Sequence, residues 1–175
     1  MLRSVQLIVV CLFSVKYSEA CNGYTVTLDQ IKTCTADSVA RPVGITSSLD
    51  KDCNIVMNGC LEMTKPVKYS KGKYVASKPP LPEMSGDIDL CDLMENGGPV
   101  PQIDEMVTIL NVPKKCPMEA KKYCISPKKN KISISAFKKK LAMGAGTTTV
   151  KLDVGHDTGR SCVEFKFSLN KPRTG

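Results

Sequence analysis

Residues 149–169, TVKLDVGHDTGRSCVEFKFSL, decide the fold class. Val150, Leu152 and Val154 alternate with Thr149, Lys151 and Asp153, and beyond Gly155 and Asp157-Thr158-Gly159 a second alternation puts Val163, Phe165, Phe167 and Leu169 on one side. A repeat of two is that of an extended strand covered on one face. Two such runs joined by a glycine-flanked turn read as an antiparallel hairpin.

Working outward, Tyr24, Val26 and Leu28 alternate with Thr25, Thr27 and Asp29 near the other end of the chain. Between them lie short strand-like pieces, Ile55 to Met57, Leu61 to Met63, Val67 to Tyr69 and Tyr74-Val75, divided at Asn58-Gly59, Pro66 and Lys71-Gly72. Short strands punctuated at this spacing indicate an all-β sandwich or barrel. The stretch from Pro79 to Pro117 departs from it: prolines at 79, 80, 82, 99, 101, 113 and 117 and the Gly97-Gly98 pair interrupt any ladder, so a long, elaborated loop is expected. Inside this loop Ile103, Met106, Val107 and Leu110 recur at helical spacing after Pro101, and Asp89 to Met94 reads as another helical turn. A third short helix is expected over Ala136 to Met143, ended by Gly144 and Gly146.

The 175 residues are 42% hydrophobic, include nine cysteines and one histidine, and carry a formal charge of +8. Arg3, the apolar run from Val5 to Val15 and the small residues Ser18 and Ala20 read as a secretory signal peptide over 1–20, leaving 21–175 as a single domain. Removal of Cys11 with the leader makes the cysteine count even. In an oxidising compartment Cys21, Cys34, Cys53, Cys60, Cys91, Cys116, Cys124 and Cys162 are read as four disulfides. No metal is expected, because paired C-x2-C spacings and neighbouring histidines are missing.

The charge is concentrated. Ten lysines fall between positions 114 and 140 against one acid, Glu119. Lys128, Lys129, Lys131, Lys138, Lys139 and Lys140 are therefore candidates for docking on an anionic membrane. Nucleic acid is not the expected partner, since lysines far outnumber arginines and stacking aromatics are sparse. No catalytic residue or cofactor is expected: His156 would have to build a triad alone from a turn expected to be solvated. Asp104-Glu105 reads as the polar side of a helix.

Several residues, in order, resemble the ML lipid-recognition domain family, in particular its ganglioside GM2 activator-like members. A strand runs into Cys34, Cys91-Asp92-Leu93-Met94 opens a Pro-rich loop, Cys116-Pro117-Met118 closes it ahead of a strand to Tyr123, and a final hairpin carries Cys162-Val163-Glu164-Phe165. The resemblance spans most of Tyr24 to Leu169. It implies an immunoglobulin-like antiparallel β-sandwich, an apolar cavity between the sheets, a Pro-rich and partly helical loop at its mouth, no covalent chemistry, and bridges Cys34–Cys162 and Cys91–Cys116. For the other four cysteines the expectation is Cys60 with Cys124 and Cys21 with Cys53, with Cys53–Cys60 as a local alternative.

The resulting expectation is a secreted, non-enzymatic protein, extracellular or in the endolysosomal lumen, that binds, transfers or presents a lipid or glycolipid. Its ligand-contacting candidates are Met94, Ile103, Met106, Val107, Leu110 and Met143, the methionines because flexible thioethers fit irregular chains. The competing expectation is a secreted interaction protein with a solid core, whose basic face binds a protein or glycan.

Overall fold

A computed structural model describes residues 20–98 and 101–171, with the side chains of residues 20, 22 and 101–103 outside that description. The expected signal peptide therefore lies almost wholly outside the described residues. The strands are β1 (Thr25–Thr33), β2 (Ala40–Leu49), β3 (Asn54–Met63), β4 (Ser70–Ser77), β5 (Met84–Asp89), β6 (Lys122–Cys124), β7 (Lys131–Ser133), β8 (Gly146–His156) and β9 (Gly159–Asn170). Three short helices, α1 (Leu90–Asn96), α2 (Pro101–Ile109) and α3 (Leu141–Gly144), join them, with a 3-10 segment over Ser135–Lys140 ahead of α3.

All named ladders are antiparallel. One sheet has the order β1-β9-β8-β4-β5, the other β2-β3-β6, with β7 pairing to β3. The sheets face each other as an all-β sandwich, joined most closely where β2 lies beside β1 and β9. The hairpin that opened the sequence reading is β8–β9, its strands in register from Gly146–Leu169 to His156–Gly159. Its turn is pinned: the Lys68 amide donates to the Asp157 carboxylate at 2.9 Å and the Thr158 hydroxyl to the Pro66 carbonyl at 2.8 Å.

Several expectations are corrected. Asn58-Gly59 is no turn, for β3 runs unbroken from Asn54 to Met63. Gly59 has φ +110° where the β2–β3 register shifts, so it serves as a bulge. A Cβ at Gly59 would stand 2.6 Å from the Gly44 carbonyl oxygen, so only glycine lets the two backbones approach there. Lys71-Gly72 likewise lies inside β4, where a side chain at Gly72 would collide with the Asp153 carbonyl of β8. Val67 makes only a bridge to Met118. Strand β5 occupies part of the segment expected to be loop, and its neighbour β4 pairs it along its length. The third expected helix is split, because Ser135–Lys140 is wound as 3-10 before α3 begins.

Two clusters of buried side chains lie at opposite ends of the sandwich, and Ile109, Ile125, Ile132, Val154 and Cys162 are buried outside them. Val39, Met63, Val67, Met118 and Tyr123 form one, with Ala40, Leu61, Met94 and Val112 packed against it. Cys21, Cys53, Leu141 and Leu169 form the other, joined by Tyr24, Val26, Leu49 and Ile134. The cysteines pair as Cys21–Cys53, Cys34–Cys162, Cys60–Cys124 and Cys91–Cys116. The second of these spans 128 residues and ties the end of β1 to β9, while the third links the directly paired strands β3 and β6.

Candidate functional site

The ladder registers fix which side chains share the inner face. Leu28 of β1 stands beside Phe167 and Ile31 beside Phe165, while Phe165 neighbours Val150 and Val163 neighbours Leu152 on β8. Leu152 and Val150 in turn neighbour Tyr74 and Ala76 on β4. Paired residues in a ladder point to the same side. That this side is the interior follows from Leu169 and Leu49, which meet across the sheets in one buried cluster. The opposing sheet contributes Ile55, Met57 and Leu61, with Ile132 and Tyr123 beside the first and last.

Most of these central side chains are not closed off. Leu28, Ile31, Tyr74, Val150, Leu152, Val163, Phe165, Phe167, Ile55, Met57 and Leu61 are all only half-buried, although they lie between the two buried end clusters. Side chains interdigitated between closely packed sheets would be shut away from water. Here Ile132 and Val154 are buried in the same rows, while the other apolar side chains of the middle stay partly accessible.

The helical loop lies on the side away from β1 and β2. Asp89 caps α1, accepting from the Cys91 and Asp92 amides at 3.1 Å each. The Asp92 amide, and then Lys71, hold the Asp89 carboxyl below its ordinary range. α1 rests against β4 and β5 of one sheet, whereas α2 lies beside β7 of the other, so the loop reaches from sheet to sheet. The Cys91–Cys116 bridge closes it. Between α1 and α2 is a cavity of about 240 Å3 lined by Met94, Gly97, Asp104, Val107, Thr108 and Lys114.

Of the residues singled out from sequence, Met94 and Val107 come together in this cavity. Leu110 is half-buried just beyond α2, and the side chain of Ile103 lies outside the described residues. Met106 points outward at 42% exposure while Ile109 is buried at 5%, so the covered stripe of α2 is turned from the one expected. Met143 is 73% exposed and sits at the opposite end, beside Lys78, whose ammonium donates to the Met143 carbonyl at 2.6 Å.

The lysine cluster divides in space. Lys128 and Lys129 occupy the turn between β6 and β7, where they make no ion pair among the described residues. Lys131 on β7 is paired with Asp50 at 2.8 Å, which holds that carboxyl well below the usual range. Lys138, Lys139 and Lys140 follow in the 3-10 segment.

Two polar expectations are overturned. His156 is not solvated: it is 8% exposed, with its Nε2 2.7 Å from the Ser161 hydroxyl, and that hydroxyl accepts from the Ala40 amide at 2.8 Å. The cause is register, which makes His156 the last inner-facing residue of β8, and burial pushes its pKa down. Glu105 is half-buried and its Oε2 has no hydrogen-bond partner among the described residues, so only Asp104 is the solvated acid of that pair. Among the described residues no cluster of three or more His, Cys, Asp or Glu could hold a metal ion.

Leu81 and Met84, 58% and 66% exposed, were missed by sequence reasoning. For Met84 a signal was present in the alternation of Met84, Gly86 and Ile88, hidden among prolines; for Leu81 there was none.

No family model matches the chain. Among the described residues no helix is long and apolar enough to cross a membrane. Over 158 residues the chain is 25% identical to a protein of Anopheles gambiae named sporozoite-associated mosquito saliva protein 1, a likeness covering 89% of this chain and 86% of that protein. With four disulfides, this similarity to a saliva protein fits an extracellular protein.

Proposed function

We propose that the protein is a secreted, non-enzymatic carrier, of the ML type, that shelters a lipid or glycolipid between its two sheets. The observation that supports this is the half-buried apolar middle, in which Phe165, Phe167, Val150 and Leu152 remain partly accessible between the two buried clusters. A guest covering that surface would gain roughly 25 cal/mol per Å2 of apolar area removed from water. The loop carrying Met94 and Val107 would form the movable rim. The test is solvent extraction of the purified protein followed by mass spectrometry, together with titration by a fluorescent fatty acid. An extract without lipid, combined with no saturable probe uptake, would end this reading.

A second reading has its own support. Lys128 and Lys129 form a basic turn with no ion pair among the described residues, and the salivary relative is named for association with sporozoites. A basic surface binding a protein or glycan would leave the extract empty while glutamine at both lysines abolished capture by a heparin column.

A further inference from the structure

Two buried polar atoms on the inner face lack a partner, and they are neighbours. Ser70 of β4 stands opposite His156 of β8 in the antiparallel ladder, so both side chains point to the same side as Val154 and Leu152. Ser70 is 0% exposed and His156 8%, yet the Ser70 Oγ and the His156 Nδ1 have no hydrogen-bond partner among the described residues. The Tyr69 carbonyl favours a charged ring, but no acceptor meets Nδ1 in bonding geometry. Leaving a buried polar atom unpaired is costly, so two of them side by side mark a place for a third polar group.

The hydrogens at this place can be assigned. The Ser161 Oγ accepts from the Ala40 amide at 2.8 Å and lies 2.7 Å from the His156 Nε2, which is the acceptor within reach of its own hydrogen. The Ser161 hydroxyl therefore donates to Nε2, and the neutral ring carries its proton on Nδ1. Burial keeps the ring neutral by pushing its pKa down. With the Ser70 hydroxyl, the pair presents two donors from adjacent strands. One oxygen that has two lone pairs and no hydrogen of its own satisfies both, which describes a carbonyl. A guest hydroxyl would bring a third hydrogen. A carboxylate would be buried beside Asp157, and Lys71, next to Ser70, points to the other side and is paired with Asp89 at 3.1 Å.

The place adjoins the apolar middle. The inner-facing residues run Ser70, Gly72, Tyr74 and Ala76 along β4, and His156, Val154, Leu152 and Val150 along β8. Gly72 puts no side chain on that row, over the roughly 13 Å that four strand residues span from Ser70 to Tyr74.

We infer that Ser70 and His156 form a carbonyl-binding subsite, which holds the acyl carbonyl oxygen of a guest while its chain lies along Tyr74, Leu152 and Val150. This rests on the carrier reading above and adds the class of cargo: an acyl ester or an un-ionised fatty acid, rather than a sterol, a long-chain alcohol or a hydrocarbon. The experiment is displacement of a fluorescent fatty acid by a methyl ester, an acid, an alcohol and an alkane of one chain length, followed by infrared spectroscopy of the bound ester labelled with carbon-13 at its carbonyl.

The parent prefers the ester or the acid to the alcohol and the alkane by roughly tenfold, and whichever of the two leads is the source the subsite serves. Ser70→Ala removes a hydroxyl without a protein partner, so the urea midpoint stays at or above the parent's. The same change weakens ester binding roughly fivefold, leaves the alkane's unchanged and moves the carbonyl band to higher frequency. Equal displacement by all four guests, or an ester affinity and band that Ser70→Ala leaves unaltered, overturns the subsite and leaves the carrier reading standing, with bound water then serving both atoms. A parent that takes up neither probe nor guest ends the carrier reading and the subsite together.

Discussion

Placing a phenyl ring at Val150 distinguishes a hollow sandwich from a filled one by the sign of its effect. Val150 lies mid-strand on β8 between Phe165 of β9 and Ala76 of β4, and all three are half-buried. Where the interior is empty, Val150→Phe adds apolar carbons to free space. At about 0.8 kcal/mol for each buried CH2, discounted because the site is only partly covered, the gain is about 1 kcal/mol. For a chain of this length that raises the melting temperature by about 2–4 °C. Where the interior is close-packed, the same change forces neighbours from their rotamers and costs about 1–3 kcal/mol, with a matching fall in melting temperature. Calorimetry on delipidated protein reads the sign, and mass spectrometry of the extract reads the guest, which the ring should displace. A fall of several degrees with lipid content unchanged would refute the argument that half-burial here marks usable space.

Three other outcomes follow from the structure. Val107→Asp puts a carboxylate into the cavity shared with Met94, and lipid uptake should drop while the denaturation midpoint holds; unchanged uptake removes the loop from the rim. Removing Cys34–Cys162, with its 128-residue separation, should cost about 5 kcal/mol in the chain-entropy account, against roughly 3.5 kcal/mol for Cys91–Cys116 at 25 residues, as read by urea denaturation of the alanine pairs. His156 has a folded-state pKa below its ordinary 6.5, so the unfolded chain binds more protons; the stability of the buried neutral ring is full above 6.5 and declines as pH falls through the folded value. Urea midpoints from about pH 8 to about pH 5 should fall in the parent and fall less in His156→Asn.

The hairpin was legible because its apolar residues alternate without interruption and its turn is glycine-flanked, so local pattern and tertiary placement agree. Strand β2 gave no such signal: Pro42, Gly44 and Ser47-Ser48 break the pattern. Its edge position tolerates the proline, and its pairing with β3 supplies the order that propensity does not. Asn58-Gly59 looked like a turn because the sequence cannot show that Gly44 lies across from it. His156 looked solvated because it stands at the turn, where its neighbour Asp157 is exposed, and only the β8–β9 register reveals that its own side chain faces inward. In the candidate site Met94 and Val107 were legible from loop position and helical spacing. The pairing of Ser70 with His156 was not, since it joins distant segments through the β4–β8 register.

The separation of the two buried clusters divides the molecule's labour. Val39, Val67, Cys21 and Leu169 hold the frame, and a change at any of them would be felt throughout. Ile31, Leu152 and Phe165 lie outside both clusters, so on the carrier reading substitutions there would reshape what is carried more than what carries it.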